Sequence, residues 1–475
     1  MKKLYRFSAI ALLVLPLVFT SCSDYLDRDD DDNITEADVF ARYEKVNGLV
    51  SDVYAAAKKA DRPLVFFEHF SNSAITDECE GTNVEGNITN NFNNGAWNPN
   101  SLPGSVGQYW EALYEGIRKA NLIIENVQKY NTPDNPQQDG DLRNRIGEMY
   151  FMRGYFHMLL LRMYGEAPYI DRVINAGDNM DFKKESVHSM VEKIVTDAQT
   201  AYGMVPNKYV KTSENFGRVD KGACLGLISF VRWVAATPLW NGASQYGYNL
   251  RRVFENEYAY DATRWRKAKE AAKAVLDFEV GGTKRYSLYT KHDANDFKDP
   301  ADGNLNDSRV YARLWDMFYD MDAFANEYVF FMTKSKDQAW QGDIYPPSRE
   351  GSSRQQPVQE QVDEYEYIVG DYGYPVYSAE ARKGGYDDTN PYVKGTRDPR
   401  FYRDVIYHGA PYRNNKNESK TINTASGSDK IGATNATTTG YYLRKFQQES
   451  WNKSGNFSIN APAIWRLPEF IYIYA

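Results

Sequence analysis

Six stretches in the first 280 residues place apolar side chains at steps of three and four, and this repetition limits the fold more than any other feature of the chain. Val39, Tyr43, Val46, Val50, Val53 and Ala57 form the first stripe. Trp110, Leu113, Ile117, Ala120, Ile124 and Val127 form the second, and Ile146, Met149, Arg153, Phe156, Leu160 and Met163 the third. Val187, Met190, Val191, Ile194 and Ala198 follow, then Ala223, Leu227, Phe230 and Val234, then Trp265, Ala268, Ala272 and Val275. Each spacing describes one face of an α-helix. Thr35-Glu-Ala-Asp38 gives the first stripe a capping-box-like start, and Pro133, Pro136, Pro168, Pro206 and Pro238 fall in the gaps. Small residues on the stripes predict antiparallel helix pairs stacked in the tetratricopeptide manner, without a clean repeat of about 34 residues. Only a neighbouring pair can cover the apolar face that each pair exposes. Arg153 is the odd member of its stripe. A buried Arg needs a carboxylate or several carbonyls, so it reads as a pin between helices.

From about Gly281 onward the helical period fades into scattered Gly, Pro, Asn and Tyr with short apolar pieces such as Tyr328 to Met332. This half is expected to be loop-rich with short strands laid over the helices. Asn414 to Thr439 is polar and is expected to be a mobile loop. Val65 to Leu102, rich in Asn, Gly, Asp and Glu, is too long and polar for a connector, and long ordered loops tend to carry function.

The first residues carry an address. Lys2, Lys3 and Arg6 precede an apolar run from Ala9 to Phe19, and Thr20-Ser21-Cys22 follows. A basic region, an apolar region and small residues at a cut make a secretory signal. A Cys just after the cut is what a bacterial lipoprotein signal looks like. Residues 1–21 then form the signal peptide, Cys22 is the lipidation site, and the membrane is reached through an N-terminal lipid anchor. Two or more acyl chains hold stably. Asp24, Asp27 and Asp29 to Asp32 make residues 22–34 an acidic, self-repelling tether. No later apolar run approaches the length of a membrane-spanning helix.

The net charge of −8 without a basic cluster argues against a nucleic-acid partner. Cys79 and Cys224 have the option of pairing in an oxidising compartment, but Cys224 lies in an apolar helical pattern and is more simply a small core residue. The chain holds 37 Tyr, 23 Phe and 9 Trp, whose flat bodies and polar edges suit sugar stacking as well as core filling. Asp77, Glu78 and Glu80 invite a two-carboxylate glycosidase reading. Neighbouring acids on a loop are ordinarily solvated, and the sequence has no His-Glu-x-x-His, no Gly-x-Ser-x-Gly and no phosphate-cradling loop. The reading is therefore a protein that binds and does not catalyse, with no cofactor or metal.

Several motifs then coincide. They are Tyr109-Trp110 with Leu113-Tyr114 and Arg118-Lys119-Ala120-Asn121, Glu148 through Phe156 running on to Tyr164-Gly165-Glu166-Ala167-Pro168, and Gly217-Arg218-Val219-Asp220-Lys221 with Ala223. Trp265 with Lys267-Ala268, Asn326-Glu327 before Val329-Phe330, Pro357 with Val362-Asp363-Glu364-Tyr365, and Arg397-Asp398-Pro399-Arg400-Phe401 continue the series. In this order the chain resembles the RagB/SusD family. The acidic run after Cys22 similarly resembles the surface-export tag of Bacteroidetes-type lipoproteins. The resemblance implies a mainly α fold, with a SusD-like helical, tetratricopeptide-like region over 35–280 and a RagB/SusD loop-rich region over 281–475. It implies a lipid-anchored protein of the outer membrane, facing the cell exterior. Such a protein binds a nutrient oligosaccharide and delivers it to a SusC-like TonB-dependent transporter. The alternatives are a peptide-binding lid and a lid with purely protein partners. Arg466 through Ala475 resembles a motif that opens a further helix in relatives, so the chain reads as truncated at its C-terminus, and Pro468 stands where a helix-favouring residue is expected.

Sugar recognition needs flat aromatic faces with a few planar polar groups that set orientation. Trp97 stands among Asn93, Asn94, Asn98 and Asn100, and Asp77 and Glu78 supply carboxylates in the same polar stretch. Trp340 and Tyr345 lie in a Gln-, Gly- and Pro-rich segment outside any apolar period, with Trp315 ahead of it. The expected ligand-binding residues are Trp97, Asn98, Asp77, Glu78, Trp315, Trp340 and Tyr345. Trp110, Trp233 and Trp265 are assigned to packing.

Overall fold

The computed structural model describes residues 35–60, 72–82, 88–97, 104–130, 139–209, 214–242, 254–290, 317–318, 320–332, 342–393, 395–413, 419–446 and 463–475. Cys22, the acidic tether, Asn98, Trp315 and Trp340 lie outside the described residues.

The first half runs α1 (Glu36–Phe40), α2 (Tyr43–Ala60), β1 (Ile75–Thr76), β2 (Cys79–Gly81), α3 (Ile88–Asn93), α4 (Gly104–Tyr130), α5 (Asp139–Tyr164), α6 (Val187–Met204), α7 (Lys221–Ala236) and α8 (Ala262–Asp277). All six apolar stripes are helical. The chain starts its helices with side-chain caps. Thr35 and Asp38 form a reciprocal capping box, Ser186 accepts from the Ser189 N–H, and Asp220 from the Ala223 N–H. α4 packs on α2 and α5, α5 on α6, α6 on α7, and α7 on α8. Each helix thus covers its predecessor's apolar face. α5 is the centre, with Phe151, Met152, Phe156, Leu159 and Leu160 buried around its circumference. Gly165 ends it in the left-handed region (φ +72°), where an added Cβ would sit 2.8 Å from the Trp240 ring.

Two buried polar nodes tie the helices together. The Arg153 guanidinium makes a two-pronged pair with Asp197 of α6 (2.5 and 2.7 Å) and donates to Asn121 of α4 (2.9 Å) and the Asp171 carbonyl (2.8 Å). Tyr169 donates to the same carboxylate (2.7 Å). The expected pin is therefore present and fully partnered. One turn on, His157 accepts from the Ile170 N–H at Nε2 (3.0 Å), so its proton sits on Nδ1 and is donated to the Arg153 carbonyl (2.8 Å). Burial lowers its pKa to about 3. The second node is Glu148, which accepts from Arg145, Arg218, Tyr54 and Tyr209 at 2.6–2.9 Å. It joins α2 and α5 to the segment that leads into α7.

The second half carries β3 (Glu279–Val280), β4 (Thr283–Lys284), α9 (Met321–Asn326), β5 (Tyr328–Phe331), β6 (Gln355–Pro357), α10 (Gln359–Asp363), β7 (Tyr367–Val369), β8 (Tyr372–Tyr374), α11 (Ala379–Lys383), α12 (Pro399–Asp404), β9 (Val405–Ile406), β10 (Pro411–Arg413), β11 (Ser419–Thr421), β12 (Tyr442–Leu443), β13 (Ala463–Arg466) and α13 (Leu467–Tyr474). The strands pair antiparallel, in twos apart from the sheet β1-β2-β6. β5 and β13 dock this lobe on the helices. Phe330 meets Phe151 edge-on at 5.0 Å, and Trp465 meets Tyr155 at 5.9 Å.

Four expectations change. Cys79 in β2 and Cys224 in α7 are both free and buried, so they do not pair, and burial pushes the Cys79 thiol up to about 12. Residues 419–439 are not a loose loop. Thr437 is fully buried, Ser348 N–H donates to Asp429 (2.8 Å), and Tyr442 OH donates to the Asp429 carbonyl (2.7 Å). Pro468 lies in the first turn of α13, where its missing N–H has no intrahelical acceptor to lose. Trp265 is 40 % exposed at the start of α8 and is only a partial packing residue.

Replacing Arg153 by Met is expected to cost about 3–5 kcal/mol in urea unfolding, because the buried Asp197 loses its counter-charge. The double variant R153M/D197L should recover part of that loss. Burial also raises the Glu469 carboxyl to about 7 from 4.5. The folded state holds this proton to higher pH than the unfolded chain does. The resulting loss of stability is absent below about pH 4.5 and complete above about pH 7. E469Q should therefore raise Tm at pH 8 and leave it unchanged at pH 4, by scanning calorimetry.

Candidate functional site

The polar stretch that holds Trp97 and the two acids contains a hairpin and a helix in its described part. β1 and β2 pair with Ile75 opposite Glu80 and Thr76 opposite Cys79, leaving Asp77 and Glu78 as the two-residue turn. The Thr76 hydroxyl accepts from the Glu78 N–H (3.2 Å) and donates to the Ser73 carbonyl (2.8 Å), which fixes the turn. Both carboxylates are exposed. α3 lies over the hairpin, with Ile88 and Phe92 packed around Ala74. Asn93 donates to the Ala74 carbonyl (3.1 Å). Gly95 (φ +71°) turns the chain, and Trp97 comes to rest half-buried with its ring against Phe92. The structure thus gathers Trp97, Asp77 and Glu78 on one small module. One side of Trp97 packs on Phe92, and part of its surface stays exposed.

This module is anchored from far along the chain. β2 continues into β6, with Cys79 opposite Pro357, Glu80 opposite Gln356 and Gly81 opposite Gln355. Thr82 N–H donates to the Arg354 carbonyl (2.8 Å), Thr82 OH to the Ser353 carbonyl (2.5 Å) and Val358 N–H to the Glu78 carbonyl (3.3 Å). Pro357 sits on an edge strand, where a missing N–H is tolerated. Gln356 is fully buried and acts as a clamp. Its amide donates to the Ser353 carbonyl (2.8 Å), and its oxygen accepts from the Thr437 hydroxyl (3.0 Å) and the Thr438 N–H (2.7 Å).

Tyr345 is not a ligand platform. It has 0 % exposure, its ring lies edge-on to Tyr412 (6.3 Å), and the Arg349 guanidinium covers it at 4.4 Å. The backbone folds tightly around it, since a Cβ on Gly351 would meet the Tyr345 carbonyl oxygen at 1.9 Å. It is a core residue of the second lobe. The anchoring role of Gln356 was missed by sequence reasoning, because a single Gln in irregular chain has no pattern that marks it as buried. Also missed was a tyrosine-rich hairpin, β7–β8, although Tyr365, Tyr367, Tyr372 and Tyr374 alternate around Gly370-Asp371, a turn signal that was available.

Three kinds of likeness bear on what such a site belongs to. Residues 24–231 match a family model described as "Starch-binding associating with outer membrane", and residues 320–475 match one described as "SusD family". The chain belongs to the SusD family. SusD-like proteins are carbohydrate binders associated with the outer membrane. The chain is similar to SusD-like protein P2 of Formosa agariphila, at 24% identity over 202 residues, a match that takes in 42% of this chain and only 38% of that relative. Its fold is similar to that of a SusD-like protein from Bacteroides fragilis (TM-score 0.68, 18% identity, 93% of this chain and 76% of that one). It is also similar to a SusD-like carbohydrate-binding protein from the same species (0.66, 14%, 92% and 74%). A laminarin-binding SusD-like protein is a further neighbour (0.50, 15%, 91% and 79%). These likenesses agree with the helix-rich architecture and its short-stranded lobe. Among the described residues, no helix is long and apolar enough to cross a membrane.

Replacing Gln356 by Ala is expected to free the 437–439 segment while leaving the helices intact. Hydrogen exchange should show the Thr438 amide exchanging at least about tenfold faster, with far-UV dichroism unchanged.

Proposed function

We propose that this SusD-like chain captures an oligosaccharide at the surface around Trp97 and passes it, chemically unchanged, to a SusC-like TonB-dependent transporter. The observation that carries the reading is the Trp97 module. A partly buried indole packs against a hairpin whose turn carries two solvent-facing carboxylates, and strand pairing locks that hairpin to the second lobe. A flat apolar face with planar acceptors is what a sugar ring with its C–H surface and hydroxyls requires. Asn98, Trp315 and Trp340 remain proposed members of this surface on sequence grounds. The laminarin-binding neighbour and the starch-binding description of the family support a glucan as first probe. Asp77 and Glu78 sit side by side in one turn, whereas glycosidases set their carboxyl groups on either side of the bond they cleave. That arrangement favours binding without cleavage. A lipid on Cys22 would hold the chain at the outer membrane, facing outward.

The double variant W97A/W340A is expected to weaken retention in laminarin or amylopectin affinity gels by about tenfold or more, with the far-UV spectrum preserved. Unchanged retention with an intact fold would move the site elsewhere. Unfolding would make the two indoles packing anchors. Release of reducing ends from either polysaccharide would replace the binding reading with a hydrolase. Capture from detergent-solubilised membranes tests delivery, since a co-purifying β-barrel transporter is the expected partner. Mass spectrometry of the mature N-terminus should show acylation at Cys22.

A further inference from the structure

α10 begins where the Trp97 module is anchored, since Val358 donates to the Glu78 carbonyl and Gln359 is the next residue. From there a row of polar side chains runs outward. The Gln359 amide nitrogen donates to Asp363 (2.7 Å). A carboxylate only accepts, so the Gln359 oxygen faces the other way, where it takes the Tyr441 hydroxyl proton (2.7 Å). With that proton committed, Tyr392 donates to the Tyr441 oxygen. On the far side, the Tyr377 hydroxyl and the Asp363 carboxylate are electrostatic neighbours. The direction of the bonds through Gln359 is thereby set, and the row ends on one carboxylate. Gln359 takes one of its roughly four acceptor positions, which leaves acceptor capacity for a hydroxyl.

The row is stiff and partly open. Arg397 is buried and ties down the end of α10 by donating to the Val362 (2.6 Å) and Tyr365 (2.8 Å) carbonyls. Tyr392 stacks on Phe401, and Tyr386 supports Tyr377 edge-on at 6.1 Å. Yet Gln359 is exposed, Asp363 is half-buried and Tyr377 is 55 % exposed. The exposed Tyr377 ring is held by Tyr386 near the carboxylate that the Gln359 amide also meets. It offers the same chemistry as the Trp97 module.

We infer that the strip Tyr377–Asp363–Gln359, backed from below by the buried Tyr441 and the partly buried Tyr392, is a second glycan-contacting surface, continuous with the Asp77–Glu78 turn, that grips a polysaccharide beyond the Trp97 module. The inference rests on the glycan reading above. It adds that the ligand is a chain long enough to reach both surfaces.

The test is affinity electrophoresis of the wild-type chain in laminarin and in amylopectin, beside Y377A/Q359A, Q359A and Y377F. Y377A/Q359A is expected to lose about fivefold in affinity for the retained polymer with an unchanged far-UV spectrum, while Y377F, which keeps the ring face, retains most of it. If the double variant alters the spectrum, Q359A alone, at an exposed position, reads the same strip. Wild-type retention with equal retention of Y377A/Q359A and Q359A overturns this inference and leaves the glycan reading standing. Equal losses in Y377F and Y377A/Q359A overturn the ring contact and the inference with it. Absence of wild-type retention in both gels overturns the glycan reading and this one together.

Discussion

The ion pair between Arg153 and Asp197 is the constraint around which the helical half is arranged. Two charges are taken out of water there, and the arrangement is stable only because every side of the pair has a partner. Asn121 comes from the preceding helix, Tyr169 and the Asp171 carbonyl come from the crossing segment, and the carboxylate receives both prongs of the guanidinium. Apolar packing alone tolerates sliding of one helix on another. A two-pronged pair does not, and it sets the register of α4, α5 and α6 together. The neutral His157 extends the same logic to the crossing segment, since its fixed tautomer holds the Ile170 N–H. The Glu148 node repeats the device at the other end of α5, binding α2 and the approach to α7.

That rigidity matters because the candidate ligand surface is built on irregular chain. Short strands and turns hold their shape poorly by themselves. Here β5 and β13 press aromatic rings into α5, so the lobe inherits the order of the helices. The Trp97 module inherits it in turn through β2 and β6. Gln356 then fixes the third stretch, around Thr437, against the same strand.

Legibility in the sequence followed periodicity. The six stripes were readable because every third or fourth side chain of a buried helix must be apolar, and Arg153 stood out because it broke that rule. Thr35-Glu-Ala-Asp38 announced a helix start by its chemistry. The second lobe had no such period. Tyr345 looked accessible because its neighbours are Gln, Gly and Pro, and nothing local says that Tyr412 and Arg349 will close over it. Thr437 lies in a run of Thr and Asn that reads as solvent-facing, and its burial comes from a glutamine 81 positions away. At the candidate site, Trp97 and its acid neighbours were found by residue type. That they share one module could not be read, because the module is defined by a hairpin whose strands are two and three residues long.

The pairing of β2 with β6 has a kinetic consequence. Thr82 and Ser353 are 271 positions apart, so closing this sheet demands a large loss of chain entropy that only an already compact scaffold can offset. The helices, whose contacts are between neighbours in the chain, can assemble early and locally. This sheet must form late, after the segment around residue 355 has emerged and found its mate. A chain caught between those two stages would have a finished frame and an unformed grip. Whatever guards it at that stage would meet unpaired strand edges rather than exposed helix faces.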